Sequence, residues 1–470
     1  MIKVLPQNYN LSKKILFLGF PIILSNLSRV IMTMCDTAMV GRLETGSLSA
    51  VGIGGLLVFI FTSIGIALRT STQAMVSRRL GEKKYTECGD VIRNALLFST
   101  ILMLPLSIFI LFIAPYVIPF LFKNLPIEVL KICIQYVQWS ALSIFFTSIA
   151  FTLAGFFSGI ERTSVHIETT LASNILNVYL NCGLIFGNDK LFNLLDSLSI
   201  EWLYPIWNIY NFPELGVKGA AIATTLSSAF MFFHYLIRYY FLVKHSKYSS
   251  PFKFNKIIII RLISLGSPLA IQLVTEMSGF LMFKMIVSKL GTIELDATEI
   301  VWNVAHASFL PAAGLGQACA TIVGKSLGEK NTIRAFSSIY ETIRLSAFFM
   351  GIMGIIFILF PNYILRFFSS NLLVIKTGIP LLQILGLFQI FDAMCQTFWF
   401  ALNGAGDTKF PAFSQMLCMW GIFIPLSWIS ITFFNVKLAF LWSYFILYLL
   451  ILTIILYLRI KSGKWLNKKS

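Results

Sequence analysis

Leu80-Gly81-Glu82-Lys83 and Leu327-Gly328-Glu329-Lys330 are one tetrapeptide written twice, 247 residues apart. One coincidence of this length is cheap. The same offset, however, carries Leu18, Gly19 and Pro21 onto Leu265, Gly266 and Pro268, and Val40, Arg42 and Leu43 onto Val287, Lys289 and Leu290. With a two-residue gap, Gly159 and Thr163 fall on Gly404 and Thr408. Several blocks at one offset make an internal repeat that spans about half the chain.

Composition says what is repeated. Of 470 residues, 57% are apolar and 12% charged, and the mean hydropathy is +0.81, whereas soluble domains carry roughly a quarter charged residues. Charge-free runs recur at Asn94 to Ile113, Ile132 to Ile160, Ile300 to Gly324, Leu345 to Leu365, Phe410 to Val436 and Leu438 to Leu458. Each reaches the ~20 residues that a helix needs to cross hydrocarbon. Spans are expected near 14–40, 49–74, 92–120, 131–158, 165–187, 215–242, 259–289, 296–324, 333–365, 373–402, 409–433 and 437–459. Lys3, Lys13 and Lys14 ahead of an apolar run imitate a signal peptide, but no small-residue cleavage site follows and Arg29 and Asp36 interrupt the run, so the first helix is read as retained. Seven scattered cysteines without a C-x-x-C pair support neither disulfides nor a zinc site.

The net charge of +17 would suit nucleic acid were it not for its distribution. Basic residues fill alternate loops: Arg78, Arg79, Lys83 and Lys84; Lys244, Lys247, Lys253, Lys256 and Arg261; Lys325, Lys330 and Arg334; Arg459, Lys461, Lys464, Lys468 and Lys469. The longest opposite loop, Asn188 to Glu214, sets Asp189, Asp196, Glu201 and Glu214 against Lys190 alone. This is the positive-inside pattern of an even number of helices with both termini cytoplasmic, and it excludes nucleic acid as a partner. Each half carries six spans, an even number, so the two insert alike and are related by an axis along the membrane normal. The expected fold is an all-α membrane protein of twelve transmembrane helices in two parallel six-helix lobes: 1–243, a cytoplasmic linker at 244–258, and 259–470. Parallel repeats of this kind belong to transporters, with the substrate path between the halves. Prolines 21, 105, 268, 311, 380 and 425 fall inside spans and are read as ordinary kinks, except Pro21 and Pro268, which match under the repeat and precede the intramembrane charges.

A carboxylate or ammonium near a helix centre costs about 2.5–3.5 kcal/mol even on the lenient insertion scale, so it is read first as functional. Asp36 lies in the first span with Arg29 seven residues earlier on the same face. Glu276 lies in the seventh with Lys284 eight residues later, and Asp392 in the tenth between Gln389 and Gln396. Glu276 and Asp392, from two helices of one half and ringed by amides, make an oxygen-rich site suited to a hard cation or a proton. Arg29 and Lys284 are equally open to snorkelling or a structural ion pair. Arg29 and Glu276 occupy equivalent repeat positions with opposite charge. His306 is weighted toward a helix-packing hydrogen bond, and the 44 phenylalanines toward packing and lipid contact. Gly404-Ala405-Gly406-Asp407 imitates an intramembrane aspartyl protease motif, but no Tyr-Asp pair exists to complete it, and its match to the first half makes it a helix-ending loop.

The run from Pro21 to Asp36, ending Cys-Asp-Thr-Ala-Met-Val-Gly-Arg-Leu, resembles the first helix of the multidrug and toxic compound extrusion (MATE) family, and the resemblance covers nearly the whole chain. Pro268, Gln272 and Glu276, followed by Gln389, Asp392 and Gln396, resemble the acidic pair of its NorM-like branch, where the two carboxylates bind the coupling cation. Asn177 and Asn181 resemble the paired amides of that branch's fifth helix, and Trp420 and Pro425 its eleventh. Arg29 and Lys284 depart from the pattern by adding positive charge, and Glu299 stands where an amide is expected.

The resemblance implies a monomeric antiporter of a bacterial inner membrane, not an enzyme. It would couple Na⁺ or H⁺ at Glu276 and Asp392 to export of a small organic substrate, cationic in the family's usual case, through a cavity that adds Asp36, Arg29, Asn177, Asn181, Gln272, Lys284, Glu299, Gln389 and Gln396. No cofactor is implied, and no Walker sequence is present. The rival reading is a lipid-linked saccharide flippase, which Arg29 and Lys284 favour and the acidic pair opposes.

Overall fold

The computed structural model describes residues 8–44, 46–122, 126–197, 202, 204–244, 246–249, 251–434 and 436–468. Lys3, Glu201 and Lys469 lie outside the described residues. The elements are helices: α1 Tyr9–Val40, α2 Ser47–Gly81, α3 Tyr85–Leu121, α4 Ile127–Gly159, α5 Ser164–Ser197, α6 Tyr204–Trp207, α7 Val217–Lys244, α8 Lys256–Val287, α9 Thr292–Ser308, α10 Leu310–Gly328, α11 Thr332–Leu359, α12 Pro361–Phe368, α13 Leu372–Gly404, α14 Lys409–Cys418, a π turn Met419–Phe423, α15 Ile424–Phe434 and α16 Leu438–Lys461. Among the described residues, eleven spans, counting α9 with α10 and α14 with α15 as one each, are long and apolar enough to cross a membrane. The twelfth is α5, made less apolar by Asn174, Asn177 and Asn181. The chain is an all-helical membrane protein of twelve spans in two six-helix lobes.

The repeat is visible in the helix limits. Both α1 and α8 run for 32 residues, and their first and last residues lie 247 apart. Likewise α4 and α13 run for 33 residues at an offset of 245. The left-handed residues that end helices repeat too, Lys83 (φ 60°) with Lys330 (φ 57°) and Glu161 (φ 62°) with Gly406 (φ 85°).

Several expected spans are split, each at a proline. The span expected over 296–324 is α9 and α10, broken at Phe309 ahead of Pro311. That expected over 333–365 ends at Leu359, and Pro361 opens the separate α12. A π turn precedes Pro425, whose ring nitrogen offers no hydrogen to the preceding turn. The fifth span ends at Gly187 (φ 69°), as expected, and the chain beyond it folds back: Leu191, Leu195, Trp207 and Phe212 are buried against Leu184 and Phe186.

Helix packing in lipid relies on small residues that let backbones approach. The crossing of α2 with α10 joins the lobes at the basic end of the bundle, and the repeated tetrapeptide sits there. A Cβ at Gly81 would stand 2.0 Å from the Lys325 carbonyl oxygen, and a Cβ at Gly328 2.0 Å from that of Arg78. Each glycine thus lies on the backbone of its counterpart's helix, around the pseudo-two-fold axis. Polar contacts between the lobes cluster in this basic half. Asn8 and Asn255 are the N-caps of α1 and α8, one repeat apart. The Asn8 backbone N–H donates to Glu341 Oε1 on α11 (3.0 Å), and that of Asn255 to Asn94 Oδ1 on α3 (2.8 Å). Asn94 and Glu341 are themselves 247 residues apart. Each half's first helix is therefore held by the third helix of the other half, and the 244–258 segment is strapped to α3 through this bond and a second from Asn94 Nδ2 to the Lys253 carbonyl (3.0 Å).

Between α4 and α5, Glu161 pairs with Lys14 of α1 (2.5 Å) and Lys325 of α10 (2.7 Å). Burial alone would raise its carboxyl pKa, but the two ammonium groups more than offset this and hold it below the usual range. Asp407, 2% exposed, pairs with Arg459 at 2.7 Å. Gly404 lies against the Ala320 backbone, so the Gly404–Asp407 segment ends a helix and anchors α16, as its repeat match implies.

Candidate functional site

In the second lobe, α8, α9, α10, α13, α14 and α16 enclose a cavity of 290 Å³. Glu276 and Gln272, one turn apart on α8, line it together with Asp392 and Gln396, one turn apart on α13. Gln396 Nε2 donates to Asp392 Oδ2 at 3.1 Å. Gln415 of α14 accepts from Gln272 and reaches Glu276. The buried Oε1 atoms of Gln272 and Gln389 have no donor among the described residues. An orphaned acceptor at a site with two carboxylates is what a cation or a proton donor would satisfy. Among the described residues no cluster of three His, Cys, Asp or Glu occurs, so the donor set is carboxylate and amide oxygen, hard in character.

The other expected site residues separate into three groups. Gln389 is buried behind the cavity and donates to Ser308 Oγ at 3.2 Å. Lys284 and Glu299 pair with each other at 2.7 Å and are absent from the cavity lining. Of the two positive charges that depart from the family pattern, that of Lys284 is therefore neutralised by the acid that departs from it. In the first lobe, Asp36 Oδ1 accepts from Asn181 Nδ2 (2.6 Å), Asn177 Oδ1 also accepts from Asn181 (3.0 Å), and Asn177 donates to Ser227 (3.2 Å). Arg29, seven residues before Asp36 on α1, packs its guanidinium on the Phe151 ring, 5.1 Å from the centroid.

Sequence reading missed Gln415 and Tyr448, which complete the cavity wall, and Arg69, which lies in the first lobe beside Arg29. Gln415 carried a signal in its repeat match to Thr170, and Arg69 in being a charge inside an expected span. His306 makes no side-chain hydrogen bond to a described residue and lines the cavity, against the weight given to a packing role.

The MatE family pattern matches the chain twice, over residues 21–182 and 268–429, two segments again 247 residues apart. A probable multidrug resistance protein NorM of Thermotoga maritima is 26% identical over 463 residues, covering 96% of this chain and 93% of the relative. One from Mesorhizobium japonicum is 25% identical, covering 87% and 85%. A MOP superfamily transporter from Pyrococcus furiosus shares the fold with a TM-score of 0.84 at 17% identity, over 100% of this chain and 99% of that one. A multidrug resistance MATE family transporter in an outward-facing conformation does so at 0.83 and 17%, over 98% and 97%. With both halves matched and the relatives aligned almost end to end, the chain belongs to the MatE family, as a NorM-like membrane transporter and not an enzyme.

Proposed function

We propose that the protein is a cation-coupled antiporter that exports small organic molecules across a bacterial inner membrane, with its basic end and both termini in the cytoplasm. The observation that carries this reading is the convergence of Glu276 and Asp392 on one cavity at membrane depth, with amides around them. Na⁺ or H⁺ entering from outside binds the two carboxylates and favours release of the substrate, and the lobes then part at the α2–α10 crossing to expose the emptied path inward. The lobes meet at the basic end, which fits the outward-facing stage of that cycle. One charge moving down 100 mV supplies about 2.3 kcal/mol, about fifty-fold accumulation at one-to-one stoichiometry. The chain works as a monomer, since each lobe already meets its partner within it. The relatives' names describe drug resistance, and the flippase alternative is not favoured.

The test is substrate efflux from proteoliposomes with sodium and proton gradients imposed separately. Glu276→Gln and Asp392→Asn should each abolish gradient-driven efflux while the protein still inserts and unfolds cooperatively. Wild-type rates in both variants would reject the assignment.

A further inference from the structure

The first lobe holds a charge-inverted counterpart of the candidate cation cavity. Ser25, Asn26 and Arg29 of α1 occupy the repeat positions of Gln272, Leu273 and Glu276, and Thr170 of α5 that of Gln415. All four line one crevice, as their counterparts line the cavity in the second lobe. Where that cavity has carboxylates, the crevice has the guanidinium groups of Arg29 and Arg69, with His166 and Tyr235 beside them and no acidic residue in its lining.

Two like charges at membrane depth need compensation, and this pair finds little within the protein. Among the described residues neither arginine forms an ion pair. Arg29 lies on Phe151. Arg69 donates from Nη2 to Gln317 Oε1 across the lobe interface (2.6 Å), while its buried Nε has no partner. Asp36, the acid two turns along α1, is taken by Asn181. His166 is held between Ser158 Oγ (2.7 Å) and Tyr235 (2.8 Å), and an imidazole, neutral or positive, offers no negative charge. Unused donors on planar, permanently charged groups match the oxygens of a carboxylate or phosphate. The crevice leaves only 10 Å³ of free space, so an anionic group would enter at its tip while the rest of the molecule stays in the path between the lobes.

We propose that Arg29 and Arg69 bind an anionic oxyacid group, carboxylate or phosphate, of the transported molecule, so that cargo anion and coupling cation occupy equivalent places in opposite lobes. The inference rests on the transport reading only in treating the bound anion as cargo. Its test uses no gradient, so it stands or falls apart from Glu276 and Asp392.

Benzoate and benzamidine are planar, similar in size and opposite in charge. Their affinities are measured by calorimetry on the full-length protein in phosphatidylcholine nanodiscs. Benzoate should bind at least tenfold more tightly, and Arg29→Gln and Arg69→Gln should each weaken it about tenfold or more while leaving benzamidine within twofold. Arg69→Lys, which keeps the charge and loses the fork, should fall between. Benzamidine binding as tightly as benzoate, no benzoate binding, or a benzoate affinity unchanged by either glutamine substitution overturns the proposal. Should a variant fail to fold, the wild-type comparison decides on its own. Nanodiscs containing phosphatidylglycerol separate the sources of the anion: loss of benzoate binding there identifies a lipid headgroup as occupant, and retention a soluble organic anion.

Discussion

Replacing Gly81 with alanine should drive the lobes apart at the basic end. The added Cβ would stand 2.0 Å from the Lys325 carbonyl oxygen, and ordinary contact begins at 3.4 Å, so α2 and α10 must separate by 1.4 Å. The obstacle is backbone, which cannot turn aside as a side chain can. Overpacking of this kind costs about 1–3 kcal/mol, and about 2 kcal/mol moves a two-state equilibrium roughly thirty-fold. That cost falls only on the conformation in which the crossing is closed. The assay is a distance distribution between spin labels at positions 84 and 331, in a background without the native cysteines. Gly81→Ala should move population to longer distances, Gly328→Ala should do the same, and the double variant should add less than the sum because one separation relieves both clashes. Gly52→Ala, where a Cβ meets nothing within 4 Å, is the control. An unaltered distribution with unaltered thermal stability in Gly81→Ala would refute the reasoning.

Three further outcomes are expected. Glu161→Gln should lower stability by about 1.5 kcal/mol and flatten its acid dependence: the wild-type carboxyl is depressed by Lys14 and Lys325, so its contribution is complete above the ordinary carboxyl pKa of about 4.3 and lost as pH falls through the lower folded value, read as Tm against pH. Asp407→Asn leaves the part-buried Arg459 without its 2.7 Å carboxylate partner and should cost about 3 kcal/mol, with Asp407→Asn/Arg459→Met recovering part of it in the same measurement. A cysteine at position 247 should resist an impermeant thiol reagent applied outside, while one at 196 should react; the opposite pattern would invert the proposed orientation.

The sequence carried the architecture because lipid leaves few choices. Apolar runs of sufficient length must be helices, and their number and the basic loops set the topology. Helix ends were less legible. Expected spans stop near the last apolar residue, at 74 for α2, whereas the helix continues through Arg78 and Arg79 to Gly81, since hydrogen bonding of the backbone does not end where hydrocarbon does. Prolines 311, 361 and 425 break or distort helices in three different ways, and the choice among them depends on neighbours that no local pattern reveals. Glu276 and Asp392 could be paired by the cost of charge in lipid. Lys284 with Glu299 could not, because their meeting at 2.7 Å depends on how α8 and α9 are rotated. Arg69 went unnoticed beside the polar run Thr70, Ser71, Thr72 and Gln73, which reads as the edge of a span and is instead the interface between lobes.

The clasp of Asn8 by Glu341 and of Asn255 by Asn94 bears on how the chain is made. The partner of Asn8 is 333 residues distant, so during synthesis the start of α1 waits until the third helix of the second half has been made before its cap is complete. A first half produced alone would leave that backbone group, and the Asn94 side chain reserved for Asn255, to water or lipid headgroups. Reciprocal contacts in which i meets j and j meets i are those of a two-fold homodimer. Two six-helix chains associating side by side would exchange their first helices' caps in this same way, and joining them end to end turns an encounter between molecules into one within a molecule.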